Sequence, residues 1–181
     1  MKKNILSAIA LACVPMVTIA NSVSIQSIFI ENHKGNDLHG AALQTNFSTP
    51  LNTVMSVNMT GLKSKNSRYN RTTTQGIISK THNVDGINFT IGTGLGCLMD
   101  SYTDDGYYVV AAKASKPFKY GSAGVYVRHR DVFSSDYKFN SQLVGFDVSL
   151  SGTKHGLKFD YAHSYGDERF TAYGISYTMK F

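Results

Sequence analysis

The segment "YGISYTMKF" at the end of the chain alternates. Tyr173, Ile175, Tyr177, Met179 and Phe181 fall on one side of an extended chain, and Gly174, Ser176, Thr178 and Lys180 on the other. A period of two is that of a β-strand, whose successive side chains point to opposite faces. The pattern recurs upstream. Ile87, Phe89, Ile91, Leu95 and Cys97 oppose Asn88, Thr90, Gly92, Gly94 and Gly96, and Val144, Phe146, Val148 and Leu150 oppose Gly145, Asp147 and Ser149. Leu157, Phe159 and Tyr161 oppose Lys158 and Asp160.

Weaker copies run through Ala41 to Phe47, Met55 to Thr60, Tyr108 to Lys113 and Ala123 to Arg128. The stretches 23–31 and 73–82 are the least regular, and they are assigned as strands because bacterial membrane barrels have an even strand number. The chain therefore reads as all-β, an antiparallel up-and-down transmembrane β-barrel of about ten strands, with eight the other count.

The connections fall into two classes. Ser48–Asn52, Asn83–Gly86, Ser115–Pro117 and Gly152–His155 are short, whereas 32–37, 63–72, 99–106, 129–141 and 164–169 are longer and more polar. Short periplasmic turns facing longer outer loops are the asymmetry expected of outer-membrane barrels. Charge agrees with that division. A Lys or Arg facing lipid at mid-bilayer costs roughly 2–4 kcal/mol. The apolar faces named above carry none, and Lys113, Arg128, Asp147, Lys158, Asp160 and Lys180 all fall on the opposite faces, which would line the lumen. A secreted β-sandwich also alternates, but it has no reason to divide its loops by length.

The start of the chain has a different character. Lys2 and Lys3 precede an apolar run that ends in Thr18-Ile19-Ala20, which reads as a secretory signal peptide over 1–20 and leaves 21–181 as one barrel domain. Of 18 basic residues two lie in this leader, so the exported part carries 16 against 12 acidic residues, about +4. A charge so mild in an exported protein speaks against nucleic acid as a partner. Cys97 is the one cysteine beyond the leader, so no disulfide forms within the exported chain. A closed barrel with every backbone group paired would supply stability instead.

With this leader, the strand pairs joined by polar loops, "TDDGYYVVAAK" before a turn and the terminal "YGISYTMKF", the chain resembles small Gram-negative outer-membrane barrels. Over the run from about Gly86 to Phe181 it is most similar to the YfaZ family, and more loosely to the OmpX/Ail type, which has eight strands. The resemblance implies a bacterial outer-membrane protein whose partners are lipid, lipopolysaccharide and the barrel assembly machinery. Tyr177, Met179 and Phe181 look like the C-terminal signal that this machinery reads.

Several groups invite chemical readings. Lys63, Lys65, Arg68 and Arg71, with Tyr69 among them, form a basic outer loop without an acid, suited to lipopolysaccharide phosphates or another external anion. Asp147 and Lys158 lie near one another across the turn at Gly152–Lys154 and are expected to pair inside the lumen. Gly92, Gly94 and Gly96 are expected to make room for a bulky inward group such as Tyr126. His163 and Ser164, with Asp167 and Glu168, hold the residue types of acyl hydrolysis, but neighbours on a strand point to opposite faces, so a polar loop is the simpler reading. Asp100, Asp104 and Asp105 read as a solvated acidic loop rather than a metal site. The expectation is a monomeric, non-enzymatic barrel without cofactor or metal, structural or surface-interacting in role. A narrow passive channel is the alternative and a lipid-modifying enzyme a more distant one.

Overall fold

Ten strands follow one another: β1 (Ser22–Asn32), β2 (Leu38–Ser48), β3 (Val54–Ser64), β4 (Asn70–Val84), β5 (Ile87–Asp100), β6 (Asp104–Phe118), β7 (Gly121–Val132), β8 (Asn140–Ser151), β9 (His155–Gly166) and β10 (Phe170–Lys180). The structure is a computed structural model that describes residues 21–32, 37–49, 53–64, 69–101, 104–133, 140–167 and 169–181. The predicted leader lies outside them. Each strand pairs antiparallel with its neighbours in sequence, and β1 pairs with β10, so the sheet closes into a barrel. No edge is left open, which the alternating last strand accomplishes by its register of Ser22 with Lys180 through to Asn32 with Phe170. The backbone N–H of Phe181 donates to the carbonyl of Asn21 at 3.0 Å, so the last residue is tied beside the first described one.

Both ends of the described chain lie at the end of the barrel that carries the short connections. The tightest of these is Asp85-Gly86, with φ of 52° and 78°. Positive φ at both central residues is the mirror-image turn that suits strand twist, and Asp-Gly is a favoured pair for it. The Asn83 side chain receives the Gly86 N–H at 3.3 Å and steadies the turn.

The strands run further than the sequence pattern suggests. The turn expected at Ser115–Pro117 is instead strand, and the chain reverses at Lys119-Tyr120. Proline fits there because β5 pairs with β6 only as far as Ser115, so Pro117 has a partner strand on one side alone. At the other end, β3 and β4 are paired out to Lys63 and Asn70, and β5 and β6 out to Met99 and Asp104, which shortens the expected long loops.

The outward face is an apolar belt bounded by charge. Exposed Ile25, Ile91, Leu95, Val125, Phe146 and Ile175 belong to it. Outward Glu31, Lys63, Asp104 and Asp131 stand at the loop end, and Lys80 and Lys116 towards the turn end. On β6, Asp104 and Lys116 are about 40 Å apart along the strand at ~3.3 Å per residue, or about 28 Å after a tilt of ~45°. That height matches the apolar band of a membrane barrel, roughly 25 Å. Aromatic rings mark both borders. Phe89, Phe118 and Phe181 lie exposed near the turn end. Nearer the loop end, Phe29, Tyr173, Tyr161 and Phe146 form a row across β1, β10, β9 and β8 with centroid separations of 6.4, 5.5 and 5.2 Å.

The core is the loop-end half of the lumen. Ile30, Leu38 and Leu62 pack there with Ile28, Tyr69, Phe170 and Ala172. Leu98, Tyr107, Val109 and Val132 pack with Ile77 on β4–β7. Leu143 and Ala162 are buried on β8 and β9, so every strand contributes at least one buried or packed side chain to this ring.

Candidate functional site

Strand parity carries Lys113, Arg128, Asp147, Lys158 and Asp160 into the lumen, as the sequence implies. Lys180 follows the same parity but sits exposed at the turn-end mouth, where its Nζ donates to the carbonyl of Gly152 at 3.3 Å.

The expected pairing of Asp147 with Lys158 does not occur. Asp147 is in register with Asp160, and Lys158 with Ser149. Asp147 pairs instead with Lys113, two strands away. Gly124 explains the exchange. It lies on β7 opposite Asp147, and a Cβ built on it would come within 2.9 Å of Lys113 Cε, so its lack of a side chain lets Lys113 cross to β8. Lys158 Nζ lies 3.9 Å from Asp160. Asp160 also accepts from the Tyr126 hydroxyl at 2.6 Å and from Gln26 Nε2 at 3.2 Å, so its charge is well engaged.

The basic outer loop is largely taken apart. Arg71 lies on β4, not in a loop, and its buried guanidinium stands 3.6 Å from Asp100. Tyr69 donates to the same carboxylate at 3.0 Å, and its ring lies 5.5 Å from the Arg71 guanidinium carbon. Lys63 is exposed on the outer face of β3 opposite His39, and Lys65 and Arg68 lie outside the described residues.

A second inward group escaped the sequence reading. Arg130, in a stretch expected to be loop, donates to Gln75 Oε1 at 3.0 Å and lies 5.4 Å from the centroid of Tyr107. The buried Tyr107 hydroxyl donates to the same Gln75 oxygen at 3.1 Å. The signal was present: Tyr126, Arg128 and Arg130 continue one period-two face. The glycine expectation needs a parallel change. A Cβ at Gly96 would enter the Tyr107 ring, while Tyr126 packs over Gly145.

Two cavities occupy the lumen. One, of about 270 Å³, lies towards the turn end among Ser24, Asn46, Lys113, Asp147, Lys158 and Thr178. The other, of about 140 Å³, lies within the apolar ring, bounded by Ile30, Leu62, Leu143 and Phe170 of that ring and by Arg71, Arg128, Arg130, Tyr126 and Asp160. They share Gln26 and Asn58.

The remaining candidates do not assemble among the described residues, outside which Glu168 lies. His163 faces out and lies 3.1 Å from the Thr171 hydroxyl, whereas Ser164 faces in and is bonded to Ser141 at 3.0 Å. Asp104 and Asp105 point to opposite faces of β6. Among the described residues no group of three His, Cys, Asp or Glu side chains is placed to hold a metal ion. Tyr177, Met179 and Phe181 are all exposed on the outer face, and the Tyr177 hydroxyl lies 2.7 Å from His155 Nδ1.

No family model and no curated protein matches the sequence. Solved structures do match. The translocator domain of the autotransporter NalP from Neisseria meningitidis superposes with a TM-score of 0.53 at 8% identity, covering 97% of this chain and 98% of that one. The beta domain of the Bordetella autotransporter BrkA gives 0.52 at 10% identity, over 90% and 99%. The KdgM porin, solved in complex with disordered oligogalacturonate, gives 0.51 at 12% identity, over 88% and 99%. The fold is that of an outer-membrane β-barrel. At such low identity the likeness concerns the fold alone.

Proposed function

We propose that this chain is an integral, monomeric barrel of a bacterial outer membrane, exported by a cleaved leader and non-catalytic, with a structural or surface-interaction role carried by its loop end. The observation that supports this most directly is the ring of buried side chains beneath the loops, with Ile30, Leu38 and Leu62 on one wall and Leu98, Tyr107 and Val132 on the other. Barrels of about eight strands have interiors that side chains fill, and diameter grows only in proportion to strand number. A loop end narrowed in this way to a chamber of about 140 Å³ leaves the rim as the surface that meets the exterior. A passive channel is the less supported reading, because a solute would have to pass that ring. The separation of His163 from Ser164 across the wall favours a non-catalytic role.

Under this reading the partners are the lipid around the apolar belt, lipopolysaccharide or another external partner at the rim, and the assembly machinery at Tyr177, Met179 and Phe181. Kinship with the YfaZ family belongs to the same proposal and rests on the short motifs at the C-terminal end. Lipopolysaccharide binding by the folded protein tests the rim directly. Neutralising Lys63, Lys65 and Arg68 together is expected to weaken it at low salt, and unchanged binding would remove the lipopolysaccharide reading.

A further inference from the structure

We propose that the chamber around Arg128 is a binding site for a small oxyanion, a phosphate or carboxylate group, inside the barrel. The inference begins with charge. Lys113 pairs with Asp147, Lys158 lies by Asp160, Arg71 by Asp100, and Arg130 is bonded to Gln75. Arg128 differs from these. Among the described residues its guanidinium makes no ion pair or hydrogen bond, and its Nε is buried without an acceptor.

The surroundings favour an anion. Arg128 shares the 140 Å³ chamber with Arg71 and Arg130, so three guanidinium groups line one small space. The carboxylate among them, Asp160, already receives Tyr126 and Gln26 and lies near Lys158. A guanidinium left without a counter-charge in a space partly shielded from water is costly, and an oxyanion answers it with two parallel N–H···O bonds. Thr73 adds a hydroxyl donor to the same wall space, whereas the Thr60 hydroxyl already donates to Asn58 Oδ1 at 2.9 Å. Ile30, Leu62 and Phe170 of the apolar ring make the chamber's wall on the loop side, and Gln26 and Asn58 are shared with the polar cavity nearer the turn end. An anion would therefore approach through polar side chains from the turn end. The inference does not depend on any role of the rim.

The test uses the folded mature protein in detergent, with inorganic phosphate and acetate as probes and sodium chloride holding ionic strength constant. Calorimetric titration is expected to show saturable binding of at least one probe. Phosphate alone would identify a tetrahedral anion, and both together a site for any oxyanion. Arg128→Gln is expected to weaken binding at least tenfold, Arg128→Lys to retain part of it, and Lys80→Gln, on the outer face, to leave it unchanged. Should Arg128→Gln fail to fold, wild-type protein can be treated with phenylglyoxal and Arg128 modification mapped by mass spectrometry. The bound probe is expected to slow that modification. Neither probe binding, equal binding after Arg128→Gln, or no protection of Arg128 would overturn the proposal.

Discussion

Lys113 on β6 and Asp147 on β8 form an ion pair across Gly124 of the strand between them. The pair exists because the intervening position carries no side chain, and Asp147 is only 3% exposed, so its charge depends on that reach. Lys113→Met would strand a nearly buried carboxylate and is expected to lower stability by roughly 1–3 kcal/mol. Adding Asp147→Leu should recover most of the loss. Urea unfolding in lipid vesicles, run as a double-mutant cycle, measures the coupling, and additive losses would show that the two residues do not interact.

Gly124 itself gives a second prediction. Gly124→Leu places a branched side chain in the path of Lys113 and is expected to break the pair, at a cost above that of Lys113→Met because its Cβ also meets the Ala114 carbonyl oxygen at 2.8 Å. Combining the two changes should add little. A strictly additive double variant would mean that the glycine serves something other than the crossing.

Arg71 illustrates a residue whose role changed with its place in the fold. Because it lies by Asp100 inside the wall and not on the rim, Arg71→Gln is expected to cost roughly 1–3 kcal/mol of stability while leaving surface binding of lipopolysaccharide unaltered. Lys63→Gln, on an exposed side chain, should change stability by no more than about 0.5 kcal/mol. Equilibrium unfolding and a binding assay on the same two variants separate these outcomes.

The lipid-facing belt is tested by one charge in its middle and one at its border. Ile175→Arg on β10 should destabilise the membrane-inserted barrel by roughly 2–4 kcal/mol. Lys80→Leu, near the turn-end border where the barrel already carries an exposed charge, should be close to neutral. Equal effects at both sites would contradict the assigned position of the belt.

Eight strands and their facing were legible because a lipid-facing side chain is apolar and period two then assigns the others, whereas β1 and β4 alternate weakly and followed from the even strand number. The strand ends were not. In a polar lumen a charged residue is as much at home as in a loop, so Arg71, Asp100 and Arg130 read as loop although they stand on strands. The partner of Asp147 was hidden for another reason. Adjacent strands suggest adjacent partners, but a curved wall with a glycine at one position lets a long side chain reach two strands across. Tyr107 over Gly96 is the same effect, a large inward ring housed by a neighbour without a Cβ.

Single-channel recording of the refolded mature protein in a planar bilayer tests the narrowed loop end most directly. The ring of Ile30, Leu38, Leu62, Leu98, Tyr107 and Val132 predicts protein that inserts and folds but shows no steady openings. Steady openings whose ion selectivity changes with Arg128→Gln would contradict it and make the lumen a conducting path.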